Sequence, residues 1–258
     1  MFISSQDLKK IYQDDSVLIL DARSYKDYSK GHIPGSVSLD LFSFHWADTS
    51  QKGLVSFGEH MRKILSYAGI DENKKIIFYD HSSGMLAARG VWMCLYFSHP
   101  DVQMLDGGIS KWTKENLPTQ TESTIYKPTN LTTPINPSII IGFEELNENI
   151  GKVTIIDARS PDEFDGTMPR AARGGHIPTA KNIDWNNNLD DSGKLKSDSE
   201  LESLYTMDKE YPIVTYCQGA YRAANSYLSL KKIGFKNVKV YLGSWGEWGN
   251  NLKLPIEK

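Results

Sequence analysis

The chemistry of this chain concentrates in one short run, Cys217-Gln218-Gly219-Ala220-Tyr221-Arg222. The run follows Ile213-Val214-Thr215-Tyr216, which reads as a strand buried on both faces. It precedes a stretch in which Ala223, Ala224, Tyr227 and Leu228 share one helical stripe while Arg222, Asn225, Ser226 and Ser229 fall off it. A thiol that leaves a strand and faces a helix N-terminus meets unpaired backbone amides and the positive end of the helix dipole. That environment favours the thiolate, so Cys217 is the expected nucleophile. Gly219 permits a positive φ, which would let the amides of Gln218, Gly219, Ala220 and Tyr221 turn inward as an anion nest. Arg222 adds a permanent charge and a fork of donors at the rim. Cys94 serves as the control. It sits inside the apolar run Val91-Trp92-Met93-Cys94-Leu95-Tyr96-Phe97 with no glycine or arginine beside it, and core packing accounts for it.

The elements that must position this loop occur twice. Val17-Leu18-Ile19-Leu20-Asp21-Ala22-Arg23-Ser24 reappears as Val153-Thr154-Ile155-Ile156-Asp157-Ala158-Arg159-Ser160, and Gly-His-Ile-Pro follows each copy, at Gly31 to Pro34 and at Gly175 to Pro178. Ile76-Ile77-Phe78-Tyr79-Asp80 matches Ile213-Val214-Thr215-Tyr216-Cys217, so Asp80 stands where the second copy has its thiol. Strand-like runs alternate with helical patterns in each half, including a helix expected over Asp198 to Met207, which argues for crossover units on a parallel sheet. Pro118, Pro128, Pro134 and Pro137 lie among many Thr and Asn and cannot continue a helix or a central strand. The expected division is an N-terminal domain over 1–117, a linker over 118–137 and a catalytic domain over 138–258.

Asp157 and Arg159 recur as Asp21 and Arg23 in the half without the cysteine, so structural support of the loop is their expected role. The same reasoning makes His32 and His176 turn residues rather than general bases. Only the second half carries the insertion Met168-Pro169-Arg170-Ala171-Ala172-Arg173-Gly174-Gly175.

With 258 residues, 40% of them hydrophobic and 24% charged, the chain is a globular protein of one or two ordinary domains. Its net charge of −3 supplies no cationic field for a nucleic acid. Its longest apolar stretch is far short of the roughly 20 residues of a membrane span, and Met1 to Lys10 lacks a signal-peptide core, so the reading is cytoplasmic. No clustered Cys/His pattern suggests a metal, and the expected chemistry requires no cofactor.

The paired Asp-Ala-Arg strands, Gly-His-Ile-Pro, the Cys-x-Gly-x-x-Arg loop and Tyr241-Leu242-Gly243-Ser244-Trp245-Gly246-Glu247-Trp248 together resemble the tandem-domain rhodanese family, the thiosulfate and 3-mercaptopyruvate sulfurtransferases. The resemblance covers both halves. It implies two α/β domains, each a mainly parallel sheet flanked by helices, the first degenerate and the second active. It implies that Cys217 takes a sulfane sulfur from a small anionic donor and passes it, as a persulfide, to cyanide or a thiol. It also implies that an arginine just before the second Gly-His-Ile-Pro, Arg170 or Arg173, helps to bind the donor. Mercaptopyruvate enzymes of the family carry an arginine where this chain has Glu163, and a Cys-Gly-Ser-Gly-Val-Thr loop in place of the one here, so thiosulfate is the expected donor. Three other readings remain open: a 3-mercaptopyruvate sulfurtransferase, a sulfur relay to a protein acceptor, and an oxyanion enzyme acting on phosphate or arsenate. The last is disfavoured because those loops are one residue longer between cysteine and arginine.

Overall fold

The computed structural model describes residues 1–258. Ten strands form two five-stranded sheets. The first comprises β1 (Phe2–Ile3), β2 (Val17–Asp21), β3 (Val37–Ser38), β4 (Lys75–Tyr79) and β5 (Val102–Leu105). The second comprises β6 (Ile140–Ile141), β7 (Thr154–Asp157), β8 (Lys181–Asn182), β9 (Ile213–Tyr216) and β10 (Val238–Tyr241). Their spatial orders are β1-β5-β4-β2-β3 and β6-β10-β9-β7-β8, and every pairing is parallel. The expected fold class is therefore borne out, and the sequence repeat is a repeat of topology.

The β-branched runs of the central strands are buried throughout, because helices cover both faces of a parallel sheet. One core gathers Ile19, Ile33, Ile77, Leu105 and Trp112, and its counterpart gathers Ile155, Ile177, Val214, Trp245 and Trp248. Cys94 lies wholly buried in the helix Met85–Tyr96, and burial pushes its thiol pKa up.

Two helices depart from the sequence reading. The helix Asp198–Leu204 stops short of Met207, because Tyr205 leaves helical geometry at ψ 75° and turns its hydroxyl inward to Asn188 at 2.8 Å. The helix Tyr221–Lys232 buries Asn225, Ser226 and Ser229 as well as its apolar stripe. Asn225 accepts from Asn188 at 3.0 Å and the Ser229 hydroxyl donates to the Asn225 carbonyl, so these two are satisfied, whereas the buried Ser226 hydroxyl has no hydrogen-bond partner.

The chain forms two compact units. The first contains 1–44, 58–136 and 189–195, and the second contains 45–57, 137–188 and 196–258. The proline-rich stretch is an extended strap held on the first unit. His32 and Gln120 form a backbone bridge, Arg62 donates to the carbonyls of Leu131 and Thr133, and the Asn136 amide bonds the Tyr96 carbonyl.

Candidate active site

Cys217 immediately follows β9, the middle strand of the second sheet, at the carboxyl end where open α/β folds place ligands. It is 1% exposed. Its loop is pinned from behind by the turn after β10. The Cys217 carbonyl accepts from the Trp245 amide at 2.8 Å and the Gln218 carbonyl from the Gly246 amide at 2.9 Å. The Ser244 hydroxyl accepts from the amides of Cys217 at 3.2 Å and Ala220 at 3.1 Å, and donates to the Tyr241 carbonyl. One hydroxyl thus fixes both ends of the loop, a role that nothing in the local sequence advertises.

The backbone reading of Gly219 needs correction. The left-handed residue is Ala220, at φ 67° and ψ 8°, where it leads into the helix Tyr221–Lys232. Gly219 lies against the exposed His45 ring instead: a Cβ there would sit 2.0 Å from Cε1 and push that side chain aside. The His45 ring lies nearly parallel to Tyr221, with centroids 6.2 Å apart. His45 belongs to the 45–57 segment of this unit, far from the loop in sequence, and motif reading missed it. Gln218 extends sideways, its Nε2 donating to the Arg170 carbonyl at 3.0 Å.

Arg222 occupies the first turn of that helix, five residues after Cys217, and the charge of the cysteine sulfur favours its protonated form. Both of its terminal nitrogens meet Glu163, Nη1 to Oε2 at 2.5 Å and Nη2 to Oε1 at 2.9 Å. Burial opposes the charge on Arg222, yet Glu163 and the cysteine sulfur outweigh it and raise the guanidinium pKa. For Glu163 burial pushes upward, and the hydrogen bonds and charge of Arg222 reverse it, pulling the carboxyl down to about 2. Glu163 also closes a capping box with Ser160 on the short helix Pro161–Phe164. The Ser-Pro-Asp-Glu spacing is the readable signal for that cap. It points Glu163 back into the structure rather than to solvent.

The two arginines of the insertion separate. Arg170 is half exposed, with Nη1 3.4 Å from Glu163 Oε1. Arg173 is committed elsewhere, donating to the carbonyls of Trp248, Gly249, Asn251 and Leu254 at 2.6 to 3.3 Å. Its guanidinium ties down the C-terminal segment, and the structure does not bring it to the Arg222–Glu163 pair.

Asp157 faces Tyr216 across the β7–β9 register, one residue before the cysteine. Instead of neighbouring loop amides, its carboxylate takes the backbone and guanidinium of Arg159, whose Nη2 reaches on to the Gly175 carbonyl at 2.8 Å. Tyr216 receives the Ile177 amide and, first by burial and then by the Asp157 charge, has its phenol pKa pushed well up. Asp21, Arg23, Tyr79 and Gly31 repeat this arrangement in the first unit. It joins the central strands to Gly-His-Ile-Pro in both copies. His32 stacks on Tyr28 and His176 on Phe164, each ring 3.7 Å from its partner, with a ring nitrogen on a backbone carbonyl.

In the first unit, Asp80 occupies the corresponding position. Its buried carboxylate accepts the amides of Ser82, Gly84, Leu86 and Ala87 at 3.0 to 3.2 Å. Desolvation raises its pKa against those four bonds.

Comparison with known proteins agrees with this geometry. A rhodanese-like domain model matches residues 4–115 and 143–251. The sulfur carrier protein TtuD of Thermus thermophilus is 32% identical, with 100% of this chain and 96% of that one covered. The thiosulfate sulfurtransferase of Azotobacter vinelandii is 31% identical, covering 100% and 97%. The crystal structure of SseA from Escherichia coli, a 3-mercaptopyruvate sulfotransferase, superposes with a TM-score of 0.80 at 26% identity, covering 95% of this chain and 98% of that one. No helix is long and apolar enough to cross a membrane. With the fold present twice and the thiol loop present once, the chain belongs to the rhodanese-like domain family.

Proposed function

We propose that the protein is a sulfurtransferase that moves the outer sulfur of thiosulfate through Cys217 to a thiophilic acceptor. The observation that carries this reading is the buried Cys217 thiol at the carboxyl end of β9, in the loop that leads into the helix Tyr221–Lys232 with Arg222 in its first turn. In the first half-reaction the Cys217 thiolate attacks the sulfane sulfur of thiosulfate. The new S–S bond forms as the old one breaks, and sulfite leaves with that electron pair. The persulfide anion then gives its outer sulfur to cyanide, as thiocyanate, or to a thiolate, as a new persulfide. The amides of Gln218, Gly219 and Tyr221, the helix dipole and Arg222 stabilise the negative charge at each stage, while the Ala220 amide, expected in the nest, is taken by Ser244. Arg170 is the second cation for the donor, and Asp157 with Arg159 ties β7 to the Gly-His-Ile-Pro turn through the Gly175 carbonyl. The chemistry needs Cys217 reduced, which suits the cytoplasm.

Thiosulfate is favoured over mercaptopyruvate because Glu163 already takes both terminal nitrogens of Arg222, the groups that would hold a second carboxylate bidentately. The likeness to a sulfur carrier protein supports a protein acceptor as the alternative destination of the persulfide. Incubation with thiosulfate followed by intact mass measurement tests the reading. One added sulfur atom is expected, retained in Cys94→Ser and absent in Cys217→Ser. Sulfur uptake by Cys217→Ser would overturn it, and turnover with cyanide or a small thiol separates an enzyme from a dedicated relay.

A further inference from the structure

We propose that Glu163 is a positioning residue for sulfur transfer, clamping both terminal nitrogens of Arg222 so that the guanidinium is held in one orientation at the first turn behind the Cys217 loop and the anion site carries less positive charge. This rests on the sulfurtransferase reading and goes beyond it. Glu163 is 4% exposed, so its carboxylate has no role at the solvent surface. Its helix-capping contacts to the Ser160 amide and hydroxyl are 3.3 Å long, whereas its contacts to Arg222 are 2.5 and 2.9 Å. The cap is the weaker partner and Arg222 the stronger. The cap holds the carboxylate from behind while its free edges face Arg222 and, at 3.4 Å, Arg170.

The consequence is a site whose two arginines share one carboxylate. Thiosulfate must enter, sulfite must leave, and the persulfide must stay reactive. Two uncompensated guanidinium groups would bind all three anions more tightly, and binding that is equal for ground and transition states does not speed turnover. Glu163 therefore lowers anion affinity and favours release, and at the same time fixes the orientation of the Arg222 guanidinium.

Three variants separate this role from helix capping. The readouts are sulfite product inhibition and kcat normalised to the sites that load sulfur. In Glu163→Gln, sulfite should inhibit at about threefold to tenfold lower concentration, because a neighbouring negative charge is gone. Its normalised kcat should fall at least about fivefold, the scale of one lost charge-assisted hydrogen bond. Glu163→Asp keeps the charge and shortens the clamp, so its kcat should fall while sulfite inhibition stays at the wild-type level. Ser160→Ala removes the cap and keeps the carboxylate, so it should lose thermal stability only. Unchanged or weaker sulfite inhibition in Glu163→Gln overturns the proposal, as does Ser160→Ala reproducing its kinetics. Should Glu163→Gln fail to fold, altered sulfite inhibition in Glu163→Asp overturns it. A wild-type protein that takes no sulfur from thiosulfate refutes the function reading and this inference together, whereas a loaded wild type beside a sulfite-insensitive Glu163→Gln refutes this inference alone.

Discussion

Replacing Arg222 with alanine removes the partner of a buried carboxylate, and the cost can be worked from the carboxylate itself. Glu163 has its pKa lowered from 4.5 to about 2 in the fold. That difference corresponds to at most about 3 kcal/mol of stability at neutral pH. Arg170 stands 3.4 Å away with a half-exposed side chain, and solvent screening leaves it a minor substitute. Arg222→Ala should therefore destabilise the second unit by about 2 to 3 kcal/mol at pH 7, in line with breaking one side of a buried pair. Because the folded pKa is depressed, the contribution is fully present above the unfolded pKa of 4.5 and is lost as pH falls toward 2. By pH 3.5 the wild type has given up about 1.4 kcal/mol of it, so the gap between wild type and variant should narrow by about that amount. Urea unfolding at pH 7, 5 and 3.5, followed by tryptophan fluorescence, measures the gap. A gap below about 1 kcal/mol at pH 7, or one that does not shrink on acidification, would refute the assigned strength of the pair.

The remaining predictions divide chemistry from architecture. Arg170→Ala should raise the KM for thiosulfate with little change in melting temperature. Arg173→Ala should leave that KM alone and destabilise by about 2 to 4 kcal/mol, since four backbone carbonyls lose a charged donor; the opposite pattern would reverse the two roles. Gly219→Ala should push the exposed His45 ring aside at a cost under about 1 kcal/mol. Gly243→Ala, whose Cβ would lie 1.9 Å from Oε2 of the largely buried Glu247, should cost at least about 2 kcal/mol; equal melting shifts would contradict the distinction.

What the sequence disclosed was local. The Asp-Ala-Arg strands, the thiol at a strand end and the helix behind it each follow from neighbouring residues, and the repeat made them legible twice. What stayed hidden depends on residues distant in sequence. Nothing near Arg222 announces that Glu163 will take its nitrogens, although the capping-box spacing shows that Glu163 turns inward. Arg170 and Arg173 look alike in a string of letters, and only the path of the C-terminal segment separates them. Ser244 and His45 reach the loop from a turn and from a segment on the far side of the repeat, where no periodicity could place them. Even at Gly219 the residue type points to backbone freedom, whereas the left-handed residue of the loop is Ala220.

The Asp80 loop in the first copy carries its own anion. Its four converging amides are saturated by a carboxylate on the same chain, so the first copy behaves as a receptor whose ligand cannot dissociate. In the Cys217 loop the Ser244 hydroxyl takes the amides of Cys217 and Ala220, and on the proposed function the remaining amides serve an exchangeable anion. Mass action then acts on one copy only: rising thiosulfate should stabilise the second unit by RT ln(1 + [L]/Kd) and leave the first where it was. An aspartate at the position of the thiol makes the first loop a permanently occupied one, a scaffold expected to ignore anion supply beside a copy expected to respond to it.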